Sequence, residues 1–119
     1  MDDYVSVFRY KDNVGISFDV EAEKPFRVGE QMNAAHAMAY MNGYNWAALL
    51  DWYLAQREPA LLEGLEHDPE AGSYAGYYLL TPENEAKAAK VAELIRALVE
   101  NEEEACRLVR EHGDDIEWD

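Results

Sequence analysis

Val14-Gly15-Ile16-Ser17-Phe18-Asp19-Val20 is the stretch that decides the fold class. Its apolar Val14, Ile16, Phe18 and Val20 alternate with Gly15, Ser17 and Asp19, the two-residue period of a strand with one buried face. Just upstream, Tyr4 to Tyr10 is rich in aromatic and β-branched residues, which suit a pleated surface. Val5 and Val7 fall on one face of that segment, Phe8 and Tyr10 on the other. Lys11-Asp12-Asn13 lies between the two strands, and its short Asp and Asn side chains tolerate turn conformations. The expected unit is an antiparallel hairpin.

Beyond Pro25 the period becomes helical. Val28, Met32, Ala35 and Ala39 form one apolar stripe, predicting a helix from about Arg27 to Met41 that stops at Asn42-Gly43. A second helix follows, with Asn45 as its expected N-cap and Trp46, Leu49, Leu50, Tyr53 and Leu54 on its apolar side. Pro59 opens a short turn carrying Leu61, Leu62 and Leu65. Asp68-Pro69-Glu70-Ala71-Gly72 is a turn by composition, and Ser73 to Leu80 a tyrosine-rich strand.

Thr81-Pro82-Glu83 has the features of a helix start: an oxygen-bearing cap, proline in the first turn, and acid at the positive end of the dipole. Ala88, Val91, Ile95 and Leu98 form the stripe of that helix. Asn101 restarts a last helix that buries Ala105, Leu108 and Val109 and ends near Gly113. The acidic tail from Asp114 is expected to be partly loose. Strands and helices are grouped rather than alternating. The expected class is therefore α+β, a small antiparallel sheet of the N-terminal hairpin plus the central Tyr-rich strand, with helices packed on one face. A single domain over residues 1–119 is expected, without repeat or linker.

Charge restricts the partners. Asp and Glu number 25 against 10 Lys and Arg, a formal net charge of −15. Such a surface repels phosphate backbones and anionic membranes and attracts basic proteins, although acidity also serves solubility. An apolar content of 49% is too high for disorder driven by charge. No apolar run is long enough to cross a bilayer. The acidic start Met1-Asp2-Asp3 leads straight into strand-like sequence, so no signal peptide is expected, and a lone Cys106 permits no internal disulfide. A cytoplasmic setting is the expectation.

Few residues converge on chemistry. His67, Asp68 and Glu70 at one turn invite an acid–base or metal reading, but zinc motifs need further His or Cys at set spacings. His36 and His112 fall in separate helices. Asp68 and Glu70 satisfy turn amides, face solvent or contact a partner. Cys106 sits among carboxylates that do not favour a thiolate. Ser73 lacks a Gly-x-Ser-x-Gly elbow, and no phosphate-binding glycine pattern occurs. No catalytic residue, metal ligand or cofactor is therefore assigned. His36 and Tyr40, one helical turn apart, form a surface pair. Trp46 belongs to the core. Trp52 lies off the apolar stripe beside Asp51, an aromatic next to acid, and interfaces draw energy from such anchors.

Gly43-Tyr44-Asn45-Trp46, Leu49-Leu50, Tyr53-Leu54 and Asp68-Pro69-Glu70-Ala71-Gly72, followed by a Tyr-rich strand and two helices, resemble the Immunity protein 51 family over about Val28 to Val109. The resemblance implies an α+β immunity protein of a bacterial polymorphic toxin system. It implies a cytosolic antidote that binds and blocks a cognate toxin domain, in many such systems a basic nuclease or another enzyme acting on nucleic acids. Trp46 matches the family's Trp position, and Asp68 and Glu70 match its turn. The expected partner-binding residues are Asp51, Trp52, Asp68 and Glu70. Two further readings stay open: another acidic binding module, such as a DNA-mimicking inhibitor of a basic nucleic-acid enzyme, and a small enzyme using the His67 turn.

Overall fold

The hairpin forms as expected. In the computed structural model, which describes residues 3–119, β1 (Val5–Tyr10) pairs antiparallel with β2 (Asn13–Asp19), Tyr10 opposite Asn13 and Val5 opposite Phe18. Met1 and Asp2 of the acidic start lie outside the described residues. Lys11 takes a left-handed φ of 55°, the value a tight hairpin turn requires.

The chain continues through α1 (Glu23–Ala35), α2 (Gly43–Arg57) and a 3₁₀ turn at Pro59–Leu62. It then forms β3 (Glu66–His67), β4 (Ser73–Leu79), α3 (Pro82–Glu100), α4 (Glu102–His112) and a final 3₁₀ turn at Gly113–Asp115. β4 inserts beside β2, giving the order β1-β2-β4-β3, all neighbours antiparallel. The architecture is α+β, with the helices on one face of the sheet. Val14, Ile16, Phe18, Tyr74 and Tyr78 bury their side chains towards the helices. Ser17 and Asp19 on the opposite face remain exposed, as the alternation demands. Gly15 is the exception on that face: Phe8 of β1 lies over it, and a methyl there would come within 2.7 Å of the ring.

Several local signals translate directly into structure. Thr81 caps α3, its hydroxyl accepting from the Asn84 amide at 3.0 Å, and Asn101 caps α4 through the Glu104 amide at 3.2 Å. Trp46, Leu49, Leu50, Tyr53 and Leu54 are all buried. Tyr78, also buried, donates its hydroxyl proton to the Leu61 carbonyl at 2.6 Å, tying β4 to the 3₁₀ turn. Val7 departs from the reading: it shares a face with Val5 yet is 45% exposed, on an edge strand that has a neighbour on one side only.

The first helix is corrected at both ends. α1 spans Glu23–Ala35, not Arg27 to Met41. It begins earlier because Pro25 sits in the first turn, where a missing N–H costs nothing. It ends earlier because His36 turns extended (φ −149°, ψ 122°), and its Nδ1 accepts the Met38 amide at 3.2 Å. The Asn33 amide group then donates to the His36 and Ala37 carbonyls. Ala39 is still fully buried, so its place in the apolar spacing was met by a loop. His36 and Tyr40 consequently do not form a helical pair. Asn42 and Gly43 start α2 instead of stopping α1, since the Asn42 side chain accepts from the Asn45 amide at 2.9 Å.

Asn45, expected as the cap, is instead a buried polar staple. Its amide donates to the Tyr40 carbonyl at 2.8 Å, and its oxygen accepts the Asp119 amide at 2.7 Å. This holds the tail that composition had suggested to be loose. Ile116 is buried, the Trp118 indole donates to the Gly113 carbonyl at 2.9 Å, and the His36 ring packs on Gly113. His36 Nε2 donates to Asp114 at 3.0 Å.

Tyr78→Phe should lower stability to urea by about 1–3 kcal/mol, because the buried Leu61 carbonyl loses its donor. Burial pushes the Tyr78 phenol up from the usual 10.0 to about 12. Its stabilising contribution is therefore complete below pH 10 and lost as pH rises through about 12. The variant should unfold with a shallower alkaline dependence in that window, and an unchanged urea midpoint would contradict the role given to this bond.

Candidate partner-binding surface

β3, which has no apolar pattern of its own, carries His67 and leads into the acidic turn as one short edge strand. Glu66 pairs with Tyr77 and His67 with Gly76, and backbone bonds between Asp68 and Ala75 extend the ladder by one residue. Alternation then separates neighbours. His67 points to the helix side, where its Nε2 lies 3.3 Å from Asp51 on α2 and its Nδ1 2.6 Å from the Tyr74 hydroxyl. Tyr74 is fully buried, and its phenol is held far above the usual value, first by burial and then by Tyr78 and Asp51. It stays a neutral donor to Nδ1, which leaves the Nε2 proton for Asp51. Glu66 and Asp68 occupy the opposite, open side.

The His67 turn thus divides into two parts. Asp51, His67 and Tyr74 make a linear hydrogen-bonded chain whose inner end is sealed from solvent. Asp68 and Glu70 stand exposed without joining it. Glu70 exchanges backbone bonds with Ser73, closing a tight turn at Ala71-Gly72. Among the described residues no group of three or more His, Cys, Asp or Glu is placed to hold a metal ion. Cys106 is half-buried, and its thiol is raised by burial and by Glu102.

Trp52 lies on the outer side of α2, half-buried, its ring 5.1 Å from that of His112. His112 in turn approaches Asp115 at 3.9 Å. With Asp51, Asp115 and Glu117 beside it, Trp52 is an aromatic inside an acidic depression. The structure therefore sets Asp51 and Trp52 on α2, and Asp68 and Glu70 across β3 on the open side of the sheet.

Gly43 positions that second group. Its amide donates to the Ala71 carbonyl at 3.0 Å, and a methyl on it would lie 1.8 Å from the Glu70 carbonyl oxygen and 2.0 Å from that of Ser73. The Gly in the Gly-Tyr-Asn-Trp element is there for close approach of α2 to the acidic turn, not for a left-handed helix end.

Charge is segregated around this frame. No Lys or Arg occurs from Val28 to Gln56, nor from Glu58 to Ala86. Arg9 pairs with Glu85 and Lys24 with Glu100. Lys90 pairs with Glu58 at 2.8 Å, Arg96 with Asp3 at 2.8 Å, and Arg107 with Glu104 and Glu111. Among the described residues Asp19, Glu21, Glu66, Asp68 and Glu70 have no ion-pair partner. α3 carries Lys87, Lys90 and Arg96 beside its four glutamates, whereas the stretch from Glu58 to Ala86 that holds the acidic turn has no cationic Lys or Arg.

A family model, Immunity protein 51, matches residues 7–113. The chain belongs to the Immunity protein 51 family. No curated protein and no solved structure matches it significantly. The family match begins inside β1 and runs through α4, so it includes the hairpin as well as the Gly43 and Asp68 elements. No helix among the described residues is long and apolar enough to cross a membrane.

Of the exposed aromatics in this region, sequence reasoning missed Phe26. Phe26 and Tyr40 are 53% and 67% exposed. Phe26 falls off the Val28–Met32–Ala35 stripe, and that offset is the signal that identifies it as solvent-facing. Tyr40 was read as a surface residue and is one, although it lies in a loop and not on a helix.

Gly43→Ala should cost about 2–3 kcal/mol in urea unfolding, as overpacking against backbone oxygens does, and should displace the amide resonances of residues 68–75. A loss below about 0.5 kcal/mol would show that the turn does not depend on this contact.

Proposed function

We propose that this member of the Immunity protein 51 family neutralises a cognate bacterial toxin domain by binding it stoichiometrically and covering its active site or substrate cleft. The family match carries the reading, and the uncompensated carboxylates around the acidic turn support it. The proposed target is a basic domain, of which a nuclease is the leading class, met in the cytoplasm. Asp51, Trp52, Asp68 and Glu70 are the proposed contact residues, with no nucleic acid, membrane or cofactor involved.

Electrostatics and packing play different parts in such an interface. Excess carboxylate raises the local concentration of a cationic domain and speeds encounter, whereas buried aromatic contacts slow dissociation. No chemistry is required of the inhibitor. The sealed Tyr74–His67–Asp51 chain serves as internal bracing in this reading.

The test uses the toxin domain encoded beside this gene. Co-expression should restore growth, and the purified proteins should form a one-to-one complex by light scattering. Asp51→Asn, Asp68→Asn and Glu70→Gln combined should slow association about tenfold at low salt and flatten its salt dependence. Absence of any complex at low salt would sink the proposal, and unchanged kinetics in the triple variant would move the contact to another face.

A further inference from the structure

A cavity of about 270 Å³ lies between α1 and the loop that joins it to α2. Phe26, Tyr40 and Met41 provide apolar walls, and Glu21, Glu30 and Asn33 provide the polar ones. We propose that this cavity is a receptor for one arginine side chain of the bound toxin domain, a proposal that rests on the immunity reading above.

Four observations converge on that occupant. First, the walls combine exposed rings with carboxylates: Phe26 and Tyr40 stand open to solvent, and Glu21 and Glu30 have no ion-pair partner among the described residues. Scattered exposed aromatics need no explanation, but rings gathered on one concavity mark an interaction site. Second, no Lys or Arg lines the space, so the protein does not fill it with a cation of its own.

Third, the shape suits one long side chain rather than a helix or strand. An arginine lays its methylene stem along apolar surface, stacks its planar guanidinium on an aromatic face, and forms charge-assisted hydrogen bonds to carboxylates. Lysine offers only a point charge, and two carboxylates with flanking rings on one cavity favour the planar fork. Fourth, the walls are held in place before any partner arrives. The Tyr40 carbonyl is fixed by the buried Asn45, Met41 packs 3.1 Å from where a methyl on Gly29 would lie, and Glu21 packs over Gly72. A site built this way loses little freedom on binding. The lining also includes Ala71, one residue from Glu70, so the cavity is continuous with the acidic turn.

Two arms test this. The first titrates the isolated protein with N-acetyl-arginine amide and follows backbone amide resonances, with the neutral isostere N-acetyl-citrulline amide as control. Saturable shifts gathered at Gly29, Asn33, Met41 and Ala71, absent with the citrulline compound, are expected. Shifts spread over every acidic surface, or equal for both probes, would overturn the assignment.

The second arm measures dissociation from the toxin domain encoded beside this gene. Glu21→Gln, Glu30→Gln and Tyr40→Ala combined should raise Kd by about 30-fold or more, mainly through faster dissociation. Glu102→Gln with Glu103→Gln, which removes the same charge from the exposed start of α4, should change Kd less than about threefold. Equal effects of the two variants would overturn the arginine receptor while leaving the immunity reading intact. Failure of the wild-type chain to bind that domain would instead overturn the immunity reading, and the arginine titration would still decide the cavity.

Discussion

Phe18 of β2 and Trp46 of α2 meet edge to face, their ring centroids 5.0 Å apart at 81°, and both are fully buried. Sheet and helix are joined here. The Trp46 indole N–H has no hydrogen-bond partner among the described residues, so packing alone holds the ring. Edge-to-face geometry is the arrangement aromatic quadrupoles favour, and it adds to the area the two rings remove from water. Phe18 also pairs across the sheet with Tyr74, so the contact fixes where β4 lies beneath α2. With α2 anchored, Gly43 at its start can press on the Glu70–Ser73 turn, and Asp51 further along can reach His67. Both halves of the acidic surface inherit their positions from this one join.

The same anchoring explains why the acidic side is ordered without ion pairs. Its backbone is held by hydrogen bonds that demand no countercharge: Asn45 to the Tyr40 carbonyl and the tail, Gly43 to Ala71, Glu70 to Ser73. Carboxylates there stay free for a partner. Around α3 cations are interspersed, and Lys24, Lys90 and Arg96 are committed to Glu100, Glu58 and Asp3. Lys24 first, then Tyr4, keeps the Glu100 carboxyl below its usual range. Exposed pairs of this kind contribute little stability. Their consequence is the field: negative charge is partly cancelled on one side and concentrated on the other.

Much of the fold was legible because it is locally encoded. The β2 alternation, the Thr81 and Asn101 caps and the α2 stripe each state their structure within a few residues. What escaped is set by distant partners. β3 has only two residues and exists because Tyr77 and Gly76 offer their backbone to it. α1 stops at Ala35 because the His36 ring is held by Asp114 and Gly113, far along the chain, while Ala39 keeps the apolar spacing as a loop residue. The tail is fixed by Asn45, a polar residue whose burial no local pattern announces. Of the site, Asp68 and Glu70 were readable as an exposed turn. The cavity was not, because its walls come from α1, a misassigned loop and residue 71.

The proposed inhibitory contact lies where uncompensated charge and exposed rings coincide. Amide hydrogen exchange with and without the proposed toxin partner tests that place most directly. Added protection is predicted across residues 19–21, 38–43, 51–52 and 68–75, with the outer face of α3 unchanged. Protection confined to α3 and α4 would contradict the account, since it would place the partner away from both the acidic turn and the cavity.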